Sequence, residues 1–154
     1  MKNNIKLTNV AVLLTALFTL LSFTGCVHNG ANVPVAKVEK NFKTSFASSE
    51  LKDSVMLAAE ANDWHVVNDL GSNKVELKKV FTKVKKEIGS RRWKKIKTNY
   101  DVFITVSMDS NSLNIVPLES SAEKIEKYGH INQFNKDLSH LEAEIYNNLV
   151  RHAL

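Results

Sequence analysis

Residues 100–107 restrict the fold more than any other stretch. Tyr100, Val102, Ile104 and Val106 alternate with Asp101, Phe103, Thr105 and Ser107, a period of two that puts one set on each face of a pleated strand. A helix would scatter the same residues around its axis. A strand of this kind needs neighbours for its backbone and a cover for its apolar face, and the flanking sequence supplies both. Residues 64–70 set Trp64, Val66 and Leu70 against His65, Val67 and Asp69, which predicts an earlier strand ending at the Gly71-Ser72-Asn73 turn. Val75 and Leu77 open the next one. Its continuation fits two patterns, because Leu77, Val80, Phe81, Val84 and Ile88 also make a helical stripe. The β-branched content and the Gly89-Ser90 turn signal favour a long strand, with a bulge near Lys79-Val80 to hold its apolar side inward. After a turn at Asp109-Ser110-Asn111-Ser112, residues 113–118 predict a fourth strand, which Pro117 would confine to an edge because proline donates nothing to a ladder.

Two helices complete the pattern. Ser48 and Ser49 suit the N-cap of a helix over 50–62, whose Leu51, Val55, Ala58, Ala59 and Asn62 share one face. Ile131, Phe134, Leu138, Leu141, Ile145 and Leu149 recur at three- and four-residue spacing, a stripe of about five turns. Residues 120–128 are polar and charged and read as a surface connection. The expected fold is α+β: a four-stranded antiparallel meander sheet with an N-terminal and a C-terminal helix packed on one face.

The first 26 residues set location rather than fold. Lys2 and Lys6 precede an apolar run over 10–23, broken only by Thr15, Thr19 and Ser22, and no acidic residue stands before Cys26. This is the order of a secretory signal, and the run is shorter than the roughly 20 residues of a bilayer span. Thr24-Gly25-Cys26 places small residues before the only cysteine, in the manner of a lipobox, with Phe23 where leucine is usual. Residues 1–25 therefore predict a lipoprotein signal peptide, Cys26 the lipidated residue, 26–47 a tether, and 48–154 a single domain. A lone cysteine cannot form an internal disulfide in an exported chain, and a thioether-linked lipid gives it a use. The expected location is the bacterial cell envelope. In a Gram-negative cell it would be the outer membrane facing the periplasm, since Val27 rather than Asp follows the cysteine.

Charge is unevenly spread. Residues 74–97 carry 11 basic side chains against Glu76 and Glu87, a net +9, whereas the rest of the chain from Cys26 onward carries 8 basic and 14 acidic residues, a net −6. A basic hairpin with an aromatic beside its lysines suits an anionic surface, and the candidate contact residues are Lys85, Lys86, Arg91, Arg92, Trp93, Lys94 and Lys95. The bland alternative is a solvated hairpin whose charges oppose edge-to-edge aggregation.

With Asp63-Trp64 after the first helix, the segment from Met108-Asp109 to Ser120, and Gly129-His130-Ile131-Asn132-Gln133-Phe134-Asn135 opening the last helix, the chain resembles a group of small uncharacterised bacterial lipoproteins. That resemblance implies the helix, four-strand meander, helix domain and an envelope location. It implies no activity.

No catalytic constellation accompanies these features. His28, His65, His130, His140 and His152 lack metal-ligand spacing, the serines lack a nucleophile elbow, and no phosphate loop or cofactor motif is present. The expected function is an envelope lipoprotein acting as a binding or accessory module. Its partners would be the membrane, through the lipid anchor, and an anionic envelope component or a partner protein, through the hairpin. Nucleic acid is disfavoured because an envelope protein seldom meets it. The alternatives are an enzyme without a recognisable motif and a self-assembling structural lipoprotein.

Overall fold

The computed structural model describes residues 33–89 and 93–152. The signal segment, Cys26, Arg91 and Arg92 lie outside the described residues. Strand β1 (Val38–Asn41) is followed by helix α1 (Ser48–Ala61), strands β2 (His65–Asp69), β3 (Lys74–Ile88), β4 (Trp93–Asp109) and β5 (Ser112–Pro117), and helices α2 (Glu119–Tyr128) and α3 (Ile131–His152). The strands form one five-stranded sheet in the order β1-β5-β4-β3-β2, with every neighbouring pair antiparallel.

The sheet corrects the expectation of four strands flanked by two helices, and with it the resemblance that rested on that pattern. The fifth strand comes from within the stretch expected to be a tether. Val38 to Asn41 pair with Ile115 to Ser112, and Phe42 and Phe46 then donate backbone N–H groups to the carbonyls of Asn111 (2.6 Å) and Ser110 (2.7 Å) at the β4–β5 turn. Pro117 is accommodated without an edge strand, because β1 stops opposite Ile115. Among the described residues no outer neighbour asks residue 117 for an N–H.

The third helix is the second correction. Residues 119–128 form α2, not a loop, and bury only Ser121 and Ile125. Both contacts matter. Leu118 N–H donates to the Phe103 carbonyl (3.0 Å) and Phe103 N–H donates to Ser121 Oγ (2.8 Å), so α2 satisfies the β4 backbone just past the end of β5. Gly129 ends the helix at φ 73°, where His130 N–H reaches back to the Ile125 carbonyl (3.0 Å). This closing turn needs the left-handed conformation that glycine adopts freely.

The bulge also falls elsewhere than expected. Strands β3 and β4 pair without a break from Lys74–Ser107 to Ile88–Trp93, and the register slips instead in β2, between Val66 and Asn68. An edge strand has a free side on which to absorb the extra residue. The uninterrupted β3 turns Val75, Leu77 and Phe81 toward the core and sends Val80, Val84 and Ile88 to the opposite face.

Lys79 shares the core-facing row. It is paired there: its Nζ lies 3.2 Å from Asp137 Oδ2, donates to the Asn62 carbonyl at 2.9 Å and stands 5.7 Å above the Trp64 ring. The left-handed turn at Asp63 (φ 58°), a conformation that Asp tolerates better than most residues, brings Trp64 from the end of α1 into the core.

Helices α1 and α3 cover one face of the sheet. Leu51, Val55, Ala58 and Ala59 from α1 and Phe134, Leu138, Leu141, Ile145 and Leu149 from α3 are sealed against Val75, Leu77, Val102, Ile104, Val106, Leu113 and Ile115. Ser48 and Ser49 fall inside α1, and the cap position belongs to Ala47, whose N–H is bound by the Glu50 carboxylate at 3.0 Å. Leu138 and Phe134 are fully buried. Truncating Leu138 to Ala is therefore expected to cost about 2–5 kcal/mol and Phe134 to Ala about 3–5 kcal/mol, seen as a lower urea midpoint at unchanged slope. Wild-type midpoints for both variants would mean that α3 does not pack as described.

Candidate functional site

Beyond the sheet, β3 and β4 continue as a ribbon of two strands. The pairing of β2 with β3 stops at Lys78 and that of β5 with β4 at Ile104, so among the described residues the rungs from Thr82–Asn99 to Ile88–Trp93 have no third strand beside them. At the usual rise per residue the ribbon extends about 20 Å past the core. A two-stranded hairpin is marginal by itself. This one is the outer half of a pairing that starts deep in the sheet.

An aromatic cluster holds its base. Phe81 and Tyr100, opposite each other in register, have ring centroids 5.9 Å apart. Phe81 also meets Phe134 (6.4 Å) and His130 (5.9 Å). Tyr100 lies nearly parallel to His130 at 5.6 Å and against Tyr128 at 4.6 Å, with its hydroxyl hydrogen-bonded to His130 Nδ1. Burial, with a smaller contribution from Tyr128, pushes the Tyr100 hydroxyl up to about 12. Just above this base, Lys83 Nζ caps the Tyr128 ring at 5.4 Å.

Strand alternation sorts the candidate residues onto two faces. On the outer face three successive rungs read Val84–Lys97, Lys86–Lys95 and Ile88–Trp93. On the face shared with the helices they read Lys83–Thr98, Lys85–Ile96 and Glu87–Lys94. Of the predicted contact residues, Lys86, Trp93 and Lys95 thus come together and line a shallow cavity of about 360 Å³. Lys85 and Lys94 lie on the other side, where Lys85 is engaged by Glu87 at 3.0 Å. Val84, Ile88 and Lys97 belong to the outer group and were not among the expected residues. Running the alternation of residues 100–107 backward through Trp93 would have found Lys97, since odd positions of β4 share this face.

The outer face is amphipathic in an unusual order. Ile88 is 79% exposed and Trp93 68%, beside lysines. Directly opposed like charges such as Lys86 and Lys95 destabilise a strand pair by about 0.2–1 kcal/mol. Elsewhere four lysines near the sheet are paired: Lys52 with Asp69 (2.6 Å), Lys78 with Asp101 (3.7 Å), Lys79 with Asp137 and Lys40 with Glu142 (3.5 Å). Among the described residues Lys86, Lys94, Lys95 and Lys97 make no such ion pair. Within the +9 segment, Lys78 and Lys79 are compensated beside the sheet, whereas these four lysines of the ribbon are bare among the described residues.

A second concavity, about 400 Å³, lies between α1 and β2, bordered by Met56, Leu57, Glu60, Asp63, Trp64, His65 and Val66. It gathers no nucleophile and base in contact. Among the described residues no three His, Cys, Asp or Glu side chains converge as metal ligands, and no helix is long and apolar enough to cross a membrane. Of the serines considered in the sequence, Ser121 bonds the backbone of β4. No protein-family model matches the chain, and no curated protein matches it at a significant level.

The Tyr100 shift has a testable sign. Its folded-state value lies above the ordinary tyrosine value, so its contribution to stability is complete below about pH 10 and is lost as the pH rises toward 12. Absorbance titration of the wild type minus Tyr100→Phe should show one phenol ionising near pH 12 together with loss of the fold. A difference curve centred at pH 10 with the fold intact would show that this ring is not held in the cluster.

Proposed function

We propose that the protein is a lipid-anchored module of the bacterial cell envelope that binds an anionic surface through the outer face of the β3–β4 ribbon. The anchor would be Cys26, on the strength of the signal-like segment and Thr24-Gly25-Cys26. In a Gram-negative cell the site of anchoring would be the outer membrane, facing the periplasm. The observation that carries the binding reading is the rung Lys86–Lys95 beside Ile88–Trp93. It places unpaired positive charge and exposed apolar surface together on an element that the core does not need. Each lysine close to an anionic bilayer contributes about 1 kcal/mol, and an indole at the interface favours the boundary between headgroup and acyl chain.

The outer face and the helix-side face make different predictions. Soluble protein lacking residues 1–26 should sediment with vesicles of phosphatidylglycerol and phosphatidylcholine, ignore vesicles of phosphatidylcholine alone, and be released by salt. Replacing Lys86 and Lys95 together by Gln should weaken that binding by about 2 kcal/mol, roughly thirtyfold in Kd. Lys85→Gln, on the other face and engaged by Glu87, should change it less than about threefold. Equal binding to both vesicle types, or equal damage from Lys85→Gln, would contradict the assignment. Salt-soluble oligomers without vesicle binding would point instead to self-assembly.

A further inference from the structure

We infer that the ribbon contacts the same bilayer that carries the protein's own lipid, with Ile88 and Trp93 at the acyl boundary and Lys86, Lys95 and Lys97 against its phosphates. The inference rests on the proposed Cys26 anchor and on the anionic-surface reading, and adds to them a direction and a ligand. The ligand is the headgroup layer of an anionic bilayer.

The direction follows from the register. Val38 stands opposite Ile115 and Asn41 opposite Ser112, while Ile115 stands opposite Val106 and Ser112 opposite Asp109. Strand β1 therefore runs parallel to β4, and the chain before Val38 leaves the sheet toward the end from which the ribbon projects. Asn135 fixes that exit: its Oδ1 accepts from Ala36 N–H at 2.9 Å and its Nδ2 donates to the Pro34 carbonyl at 3.1 Å. Asn135 follows Phe134, whose ring packs on Phe81 at the base of the ribbon. The N-terminal entry and the ribbon thus share one end of the domain.

The lengths agree with the direction. Six residues separate Cys26 from Val33, and a chain of that length spans at most about 25 Å. The ribbon reaches about 20 Å past the aromatic base. Because residues 33–46 are built into the domain, the leash is far shorter than the stretch 26–47 suggests. A domain tied this closely, by the end that bears the ribbon, brings the tip to its own membrane before any other. The tip chemistry suits that contact: three basic side chains share a face with two large apolar ones, the combination that interfacial segments bury at the headgroup boundary.

The test uses the lipidated protein reconstituted into phosphatidylglycerol-containing vesicles. Cys26 is blocked by its lipid, so Ile88→Cys, at a side chain 79% exposed, takes a single nitroxide label, and Asn73→Cys at the β2–β3 turn provides a label at the far end of the sheet. The label at 88 should become accessible to dissolved oxygen and shielded from a water-soluble nickel complex, and this should disappear in phosphatidylcholine vesicles. The label at 73 should stay in water throughout. If the label at 88 is in water on its own vesicle while the protein clusters added protein-free anionic vesicles, the ribbon reaches a second membrane. The inference then fails and the anionic-surface reading stands. If the label stays in water and no clustering occurs, both fail.

Discussion

Phe81 and Tyr100 face each other across β3 and β4, and their packing decides where the core ends. On the sheet side of this pair the strands have neighbours, the helices cover one face, and Val102, Ile104 and Val106 are sealed from water. On the far side the same two strands continue without either support from the described residues. The stack of Tyr100 on His130 and of Phe81 on Phe134 joins the first residues of α3 to the last buried rung of the hairpin. Aromatic pairs of this kind contribute about 0.5–1.5 kcal/mol each beyond their buried area, and several share these rings. The cluster closes the core and fixes the root of the ribbon with one set of contacts.

Electrostatics follows the same boundary. Near the core, three inward or flanking lysines find a carboxylate: Lys79 with Asp137, Lys40 with Glu142, Lys78 with Asp101. A cation at a partly buried position is tolerated only with such a partner. Past the cluster there is no core to protect, burial no longer penalises charge, and lysines occupy both faces. Solvent alone would tolerate that arrangement. It gives no reason for Ile88 and Trp93 to sit exposed among them, which is the observation behind the proposed contact with an anionic bilayer.

The parts of the fold that were legible in the sequence are those whose periodicity is carried by many apolar residues. The alternation around Tyr100–Val106 and the stripe from Ile131 to Leu149 each bury a continuous face, so pattern and structure coincide. Strand β1 offers no such pattern, because Val-Glu-Lys-Asn places Lys40 on the core side, where Glu142 rather than burial holds it. Helix α2 buries a serine and one isoleucine, too little for a hydrophobic stripe, and is held by backbone bonds to β4 that composition does not reveal. The bulge expected at Lys79-Val80 would hold the apolar side of β3 inward, but Lys79 itself takes the core-facing position. The pairing with Asp137 and the Trp64 ring removes the need for a bulge. For the site, the cluster of basic residues was legible, but its division into two faces depends on register, which the segment's charge does not encode.

The central claim is that the core ends at the aromatic cluster and that what lies beyond serves contact rather than stability. The direct measurement is a trimmed protein in which residues 84–97 are replaced by Asn-Gly, a pair that favours a tight hairpin turn, joining Lys83 to Thr98. It should unfold cooperatively with a midpoint within about 2 °C of the parent, a stability change well under 1 kcal/mol, and should no longer sediment with anionic vesicles. A trimmed chain that fails to fold, or one that folds and still binds, would contradict the account.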